Sequence, residues 1–61
     1  MTMQVDEAMV LAREGKIVRS NRFDYRIRAG VLERLNGWWQ PIVWPLDEDE
    51  LRFEGWTEVR G

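Results

Sequence analysis

Arginine and aromatic side chains are interspersed through the middle of this chain. Residues 16–28 read KIVRSNRFDYRIR, with five basic and two aromatic side chains. A guanidinium group presents a planar fork of donors that matches phosphate oxygens, and an aromatic ring can stack on a base. If this segment binds a nucleotide, the predicted contacts are Arg19, Arg22, Phe23 and Tyr25.

The same segment can also be interpreted as the charged face of a sheet. Alternate side chains of a strand point to opposite faces. Arg26 and Arg28 would then share one face, while Phe23 and Tyr25 would lie on the other. A solvated outer face explains these arginines without a ligand, and the GK at 15–16 lacks the glycine-rich surroundings of a phosphate loop.

Four consecutive acids form the second candidate. They are Asp47, Glu48, Asp49 and Glu50. Consecutive side chains on one turn point in different directions, so they do not form the facing carboxylate pair of a glycosidase, and the spacing is not that of a calcium loop. Asp47 and Glu50 have the spacing of a capping box, which favours a solvated helix start. The alternative is an acidic contact with a protein partner, in which these side chains mimic phosphates.

Tryptophan is unusually frequent, with four in 61 residues. Trp38 and Trp39 are adjacent, so they cannot both face the same side of a strand. We expect one of them to be exposed, or to be buried only by a ligand, another subunit or a partner. Together with the four acids, Trp38 and Trp39 are the predicted protein-binding residues, and the alternative is that the tryptophans complete a core and a self-association surface.

The composition argues against most enzyme classes. The chain has no cysteine and no histidine, which removes disulfides, the usual zinc ligands and the commonest general base. Ser20 therefore has no histidine to activate it. We expect no catalytic residue, no metal site and no cofactor. No apolar run approaches the ~20 residues of a membrane span, and the first residues lack a signal pattern, so a cytoplasmic protein is expected.

Charge is distributed unevenly along the chain. Residues 13–34 hold seven basic and three acidic side chains, a local charge of +4, whereas residues 35–61 hold two basic and six acidic ones, a local charge of −4. This pattern suggests two electrostatically different faces, unless folding interleaves them.

Periodicity predicts the elements that must position these residues. Apolar residues at helical spacing, acids in the first turn and Gly15 after the last predict a helix over 5–14. Strands are predicted over 16–20, 23–28, 31–35, 38–44 and 56–60, with a tight turn at Ala29 and Gly30 and a hairpin at Asn36 and Gly37. Pro41 predicts that the fourth strand is an edge or is interrupted there.

Together these elements predict one domain over residues 1–61 of the α+β class. An N-terminal helix packs on a small antiparallel sheet of about four to five strands. A short helical turn begins near Asp47 and precedes the last strand, with Leu46 and Leu51 able to form a hydrophobic staple around it.

The succession of motifs resembles a known family. The helix DEAMVLAREG, then GKIVR with an aromatic residue eight positions after Gly15, a β-rich middle, and EGWTEV near the end are similar to the small phage proteins of the Thoeris anti-defence 2 family. Its members commonly run EAL..L..GK.V.R..W and end near..DWEV. Phe23 stands where the family usually has tryptophan, and the Asn-Gly that often follows that aromatic is absent. The matched positions are Gly15, Lys16, Val18, Arg19, Trp56 and Val59.

The resemblance implies a small homo-oligomeric α+β protein of phage that traps a cyclic ADP-ribose-type immune signal without cleaving it. A small phage protein that inhibits an immune effector complex by binding protein, as anti-CRISPR proteins do, fits equally well. We therefore expect a non-enzymatic counter-defence protein that acts in the cytoplasm of a bacterial host by stoichiometric binding of an effector protein or a cyclic nucleotide messenger. Direct nucleic-acid and membrane binding are not expected, and a homo-oligomer is left open. The competing hypothesis is a structural or regulatory oligomerisation module with no defence target.

Overall fold

The computed structural model describes residues 2–60, and its first element is helix α1, Val5–Arg13. Its buried side chains, Val5, Ala8, Met9 and Ala12, recur at helical spacing. The helix ends where the backbone N–H of Gly15 donates to the carbonyl of Ala12 at 3.1 Å and Gly15 takes a φ of +92°. The helix predicted over 5–14 is confirmed to within one residue.

Five short strands follow α1 and form one antiparallel sheet. In sheet order they run β4-β3-β2-β1-β5, so the first strand after the helix is next to the last. The strands are β1 Ile17–Arg19, β2 Asp24–Arg28, β3 Val31–Leu35, β4 Trp39–Pro41 and β5 Thr57–Val59. A second, short helix, α2 Glu48–Arg52, precedes β5. The predicted α+β fold is confirmed.

Helix α1 covers one face of the sheet. Val18 pairs with Tyr25, and Tyr25 pairs with Arg34, so these three side chains share this inner face. Val18 and Tyr25 are fully buried in the same core cluster as the apolar side of α1. The opposite, outer face carries Arg19 and Asp24 among others, and neither described helix packs on it.

The two β-hairpins differ in their turns. Arg28 pairs with Val31, which leaves a two-residue turn in which Ala29 and Gly30 both have positive φ, +52° and +77°. The β3–β4 connection is one residue longer, because Leu35 pairs with Trp39 and residues 36–38 form the loop. Both predicted turns are therefore present.

Strand β4 is an edge of the sheet, as Pro41 predicted, but it is shorter than the predicted 38–44. The Ile42 N–H donates to the Leu32 carbonyl at 2.9 Å, so Ile42 and Gln40 direct their backbone groups toward β3. Pro41 lies between them, so its backbone nitrogen and carbonyl point to the free side of β4, away from β3. It therefore interrupts no hydrogen bond of the ladder.

The N-terminal segment is tied to the end of the chain. Met3 and Trp56 exchange two backbone hydrogen bonds of 2.9 and 3.0 Å, which makes an isolated antiparallel bridge beside β5. The Trp56 side chain is fully buried between Tyr25 and Phe53, with ring centroids 5.3 and 6.5 Å away. Trp56 is therefore the central aromatic residue of the core.

Candidate binding surface at the loop end of the sheet

Two connections leave the sheet at the same end. Strands β1 and β3 run toward this end and β2 and β4 run away from it, so the turn at 20–23 and the loop at 36–38 lie side by side. The start of α2 joins them, because Asp47 Oδ2 lies 3.6 Å from Arg22 Nη2. We call this region the loop end. Both groups of predicted binding residues lie in or next to it.

Ser20 builds the β1–β2 turn. Its hydroxyl accepts the N–H groups of Arg22 and Phe23 at 3.2 and 3.1 Å and can donate to the Phe23 carbonyl at 3.2 Å. The residue is itself buried. A serine hydroxyl that closes a local turn in this way fixes where the following side chains leave the backbone. Ser20 thus positions Arg22 and Phe23.

Two guanidinium groups lie against the Phe23 ring. The Arg34 guanidinium carbon is 4.7 Å from the ring centroid and that of Arg22 is 5.6 Å away, both within cation–π range. The Arg34 Nε is buried and has no hydrogen-bond partner among the residues that the structure describes. Arg34 is not among the site residues predicted from sequence. Arg34 can be recognised as a site residue only when the strand register is known, because pairing with Tyr25 places it on the inner face.

Beneath this cluster, Tyr25 and Glu50 are enclosed. The Tyr25 hydroxyl donates to Glu50 Oε2 at 3.3 Å, and Arg22 Nε lies 3.6 Å from Oε1 of the same carboxylate. The Trp56 indole N–H donates to the backbone carbonyl of Glu50 at 3.3 Å. Burial and then the negative charge of Glu50 raise the pKa of Tyr25 to about 12, although Arg34 acts in the opposite direction. Neither Tyr25 nor Glu50 presents its side chain to an incoming molecule.

The capping box predicted for Asp47 and Glu50 is wrong. The Asp47 side chain makes no capping hydrogen bond, and Glu50 turns into the core instead of back toward the start of α2. The reason is a set of partners from elsewhere in the chain, Tyr25 and Arg22, which hold the carboxylate of Glu50. The other acids, Asp47, Glu48 and Asp49, are exposed.

Arg19 lies apart from the other predicted nucleotide contacts. Its Nε donates to Asp24 Oδ1 at 2.8 Å on the outer face, whereas Phe23 and Tyr25 lie on the inner face. This hydrogen bond and then the charge of Asp24 raise the pKa of the Arg19 guanidinium. The structure therefore brings Arg22 and Phe23 together, encloses Tyr25 and places Arg19 on the other side of the sheet.

The adjacent tryptophans separate as predicted. Trp38, in the β3–β4 loop, is 65 % exposed, whereas Trp39 is half-buried on the outer face beside Leu35. The guanidinium of Arg26 lies 4.2 Å from the Trp39 ring centroid and also donates to Glu33 at 2.6 Å. Trp39 is thus covered by its own chain, and Trp38 is the free aromatic side chain of the loop end.

A second apolar surface lies outside the predicted site residues. Val43 and Trp44, after β4, are 88 % and 52 % exposed. Trp44 and Val10 line a groove of about 660 Å³ that runs beside α1 and reaches Gly30, at the end of the sheet opposite the loop end. The uncharged run PIVWP is the available indication in the sequence, but its apolar residues equally favour the continuation of a strand.

Among residues 2–60, the acidic side chains form no group of three or more placed to hold a metal ion. Helices α1 and α2 are also too short to cross a membrane. Comparison with protein-family models, with curated proteins and with solved structures finds no match to this chain. The resemblance to the Thoeris anti-defence 2 family therefore stays a prediction, and the geometry of the loop end is what bears on function.

Proposed function

We propose that this protein is a non-enzymatic counter-defence protein of phage type, which inhibits bacterial immunity by stoichiometric binding of a component of the defence machinery. The binding surface is the exposed part of the loop end. The observation that carries the proposal is Trp38, a large aromatic side chain 65 % exposed on a short loop. The counter-defence role itself comes from the family resemblance.

The composition of the loop end supports a protein as the bound component. Tryptophan and arginine are the residues most enriched among those that dominate binding energy at protein interfaces. Trp38 and Arg22 are both exposed at this end, and Asp47, Glu48 and Asp49 add an acidic rim. The turn at Ser20 and the three-residue loop before β4 hold these groups on a rigid sheet, which reduces the entropy lost on binding.

The existing ion pairs disfavour a phosphate-bearing ligand at the same place. Arg22 lies 3.6 Å from both the Asp47 and the Glu50 carboxylates, and Arg19 is paired with Asp24. A phosphate would have to displace these carboxylates and would be repelled by them. An effector protein is accordingly the favoured target.

Co-purification with candidate immune effector complexes tests this proposal. We expect the wild-type protein to retain one complex in a fixed ratio and to restore plating of phage on the defended host. Trp38→Ala should weaken binding about tenfold or more, the effect of losing an interface residue worth over ~1.4 kcal/mol. Reversing the charges of Asp47 and Asp49 should also weaken it. Trp44→Ala, which removes the same side chain at the opposite end, is the matched control.

Restored plating that survives Trp38→Ala but is lost with Trp44→Ala would place binding on the other surface and contradict the proposal. Failure to restore plating against every tested defence system would overturn the counter-defence role. A protein that only forms oligomers of itself, with no effector retained, would support the structural-module hypothesis instead.

A nucleotide messenger is the second candidate, and one observation favours it. Arg34 Nε is buried and has no hydrogen-bond partner among the described residues. The guanidinium groups of Arg34 and Arg22 both lie against the Phe23 ring. Calorimetry with cyclic ADP-ribose isomers should then show saturable heat that Arg22→Ala reduces strongly. Arg19→Ala should have a smaller effect, because Arg19 lies on the other face. Absence of heat at high ligand concentration would exclude this version.

A further inference from the structure

The exposed side of α1 carries a short stripe of alternating character. Asp6, Val10 and Arg13 follow one another at i, i+4 and i+7, so they lie along one line of the helix surface. Val10 is 49 % exposed. An acid, an apolar residue and a base thus face solvent in that order.

This stripe forms one wall of the apolar groove. Asp6, Val10 and Arg13 line it from α1, and Trp44 lines it from the segment after β4. Its other lining residues include Met9, Ile27 and Leu32, which belong to the core or pack against it. The groove is therefore apolar inside and has one negative and one positive group on its helical wall.

The stripe is complementary to itself in one orientation. A helix rises about 1.5 Å per residue, so Asp6 lies about 6 Å before Val10 and Arg13 about 4.5 Å after it. In a second copy running antiparallel with Val10 opposite Val10, each Asp6 comes level with the other copy's Arg13 to within about 1.5 Å. In a parallel arrangement the like charges would meet instead.

Two further acids, Glu7 in α1 and Glu14 directly after it, lie on the other flank. At about 100° per residue, Glu7 and Glu14 are displaced from Val10 to the side opposite Asp6 and Arg13. Glu7 lines a separate apolar depression with Leu11. By the same rise, Glu7 lies about 4.5 Å before Val10 and Glu14 about 6 Å after it, so these two acids also come level across the axis on their own flank. The contact must therefore be centred over the groove, on the Asp6 and Arg13 side of Val10, where it pairs opposite charges and leaves Glu7 and Glu14 at its margin.

We propose that the groove side of α1, which carries Asp6, Val10 and Arg13, binds a second copy of the chain through an antiparallel α1–α1 contact whose twofold axis lies level with Val10. The two contacts between Asp6 and Arg13 set the orientation. The exposed parts of Val10 and Trp44 supply the apolar area. A standard interface buries about 800 Å² of each partner, which is a large share of the 4360 Å² surface of this chain. A contact confined to one stripe of α1 buries less than that, so we expect a weak dimer.

Sedimentation equilibrium of the full chain over a wide concentration range tests this inference. The wild-type protein should show a reversible monomer–dimer equilibrium. Asp6→Arg and Arg13→Asp should each weaken the dimer about tenfold, because each puts like charges opposite one another twice. An equal mixture of the two variants should associate more tightly than either variant alone, since the bases of one variant then face the acids of the other at both contacts. The double variant carrying both substitutions should recover dimerisation, because opposite charges again meet at each contact.

Glu7→Arg is the matched control, because it makes the same charge change in the same helical turn on the other flank. It should not weaken the dimer, since Glu7 lies at the margin of the contact and an arginine there would face Glu14 of the second copy instead of a base. Circular dichroism should show that each variant remains folded. A monomer at every concentration would overturn the inference. A dimer that responds equally to Asp6→Arg and Glu7→Arg, with no gain in the mixture, would also overturn it. The loop-end experiments read out effector binding instead of dimerisation, and of the variants used there only the control, Trp44→Ala, should also weaken this dimer.

Discussion

At the residue scale, Glu50 is the acid whose surroundings most determine its role. Its carboxylate accepts a hydrogen bond from Tyr25 at 3.3 Å and lies 3.6 Å from Arg22 Nε, while only 2 % of the residue is exposed. A buried carboxylate is tolerated only where partners compensate for the water it has lost. The contacts of Glu50 join α2 to the β1–β2 turn and to β2.

Removing either partner should show what this buried contact contributes. Glu50→Ala should lower the free energy of unfolding by about 2 kcal/mol, because it leaves the buried Tyr25 hydroxyl without an acceptor and empties the space that the Glu50 side chain fills. Tyr25→Phe should cost about 1 kcal/mol, since Glu50 keeps its arginine. Urea unfolding followed by tryptophan fluorescence measures both.

Glu48→Ala is the control, because Glu48 is an exposed acid of the same short helix. It should change the free energy of unfolding by less than about 0.5 kcal/mol. Equal losses for Glu48→Ala and Glu50→Ala would show that the buried contact stabilises nothing.

Tyr25 also predicts how stability depends on alkaline pH. The folded protein holds its pKa at about 12, above the ordinary value of about 10 that it should have when unfolded. Its contribution to stability is therefore complete below about pH 10 and is lost as the pH rises through about 12. Since the chain has one tyrosine, a pH titration followed by tyrosinate absorbance reports Tyr25 alone. The midpoint of this titration should fall toward about 10 when the protein is unfolded in urea. A midpoint near that unfolded value in the folded protein would contradict the burial of the hydroxyl.

At the element scale, the β2–β3 turn contains a residue in an unfavourable conformation. Ala29 has a φ of +52°, which costs a residue with a Cβ atom about 1 kcal/mol, whereas Gly30 takes its φ of +77° freely. Ala29→Gly should raise the free energy of unfolding by about 0.5 kcal/mol, after the added entropy of the unfolded chain is subtracted. Gly30→Ala, in the same turn, should lower it by about 1 kcal/mol. Thermal unfolding of the pair measures both, and a loss in both would show that the turn is not strained at Ala29.

The elements could be predicted from the sequence because their causes are local. The periodic apolar residues of α1, the alternation of β2 and the turn residues at 29–30 and 36–37 all act within a few positions of the chain. The side-chain role of Glu50 could not be predicted, since it depends on Tyr25, which is 25 residues away in sequence. A local capping signal was overridden by contacts made only in the folded chain.

The two predicted sites show the same distinction. The separation of Trp38 from Trp39 follows from strand alternation and was predictable. The enclosure of Tyr25 and the position of Arg34 beside Phe23 depend on which strands are neighbours and on where α2 packs. The exposure of the run at Val43 and Trp44 follows from the end of β4 at Pro41, where the sequence left open whether that proline marks an edge strand or an interruption.

At the scale of the whole molecule, folding interleaves the two charged halves of the sequence. Arg22, from the basic half, lies between Asp47 and Glu50 of the acidic half, and Arg26 pairs with Glu33 within the basic half. The ion pairs therefore mix the two halves and do not divide the molecule into two oppositely charged faces.

The two ends of the described chain also stabilise one another. Met3 exchanges two backbone hydrogen bonds with Trp56 and packs against the core. Deleting residues 1–3 should lower the free energy of unfolding by about 2 kcal/mol, through the lost hydrogen bonds and the lost apolar burial. Thr2→Ala, an exposed position beside Met3, is the control and should have little effect. An unchanged urea midpoint after the deletion would mean that the bridge to Trp56 contributes nothing.

The outward position of Pro41 has a consequence for the protein at high concentration. Along the free side of β4, the backbone groups that face solvent are those of Trp39 and Pro41, and Pro41 has no N–H to offer. A strand from another molecule that aligned with this side would find no backbone donor at Pro41. The proline ring would also obstruct its close approach. Pro41 thus acts as a gatekeeper against fibril-like stacking, in a chain that exposes Val43 and Trp44 directly beside this edge.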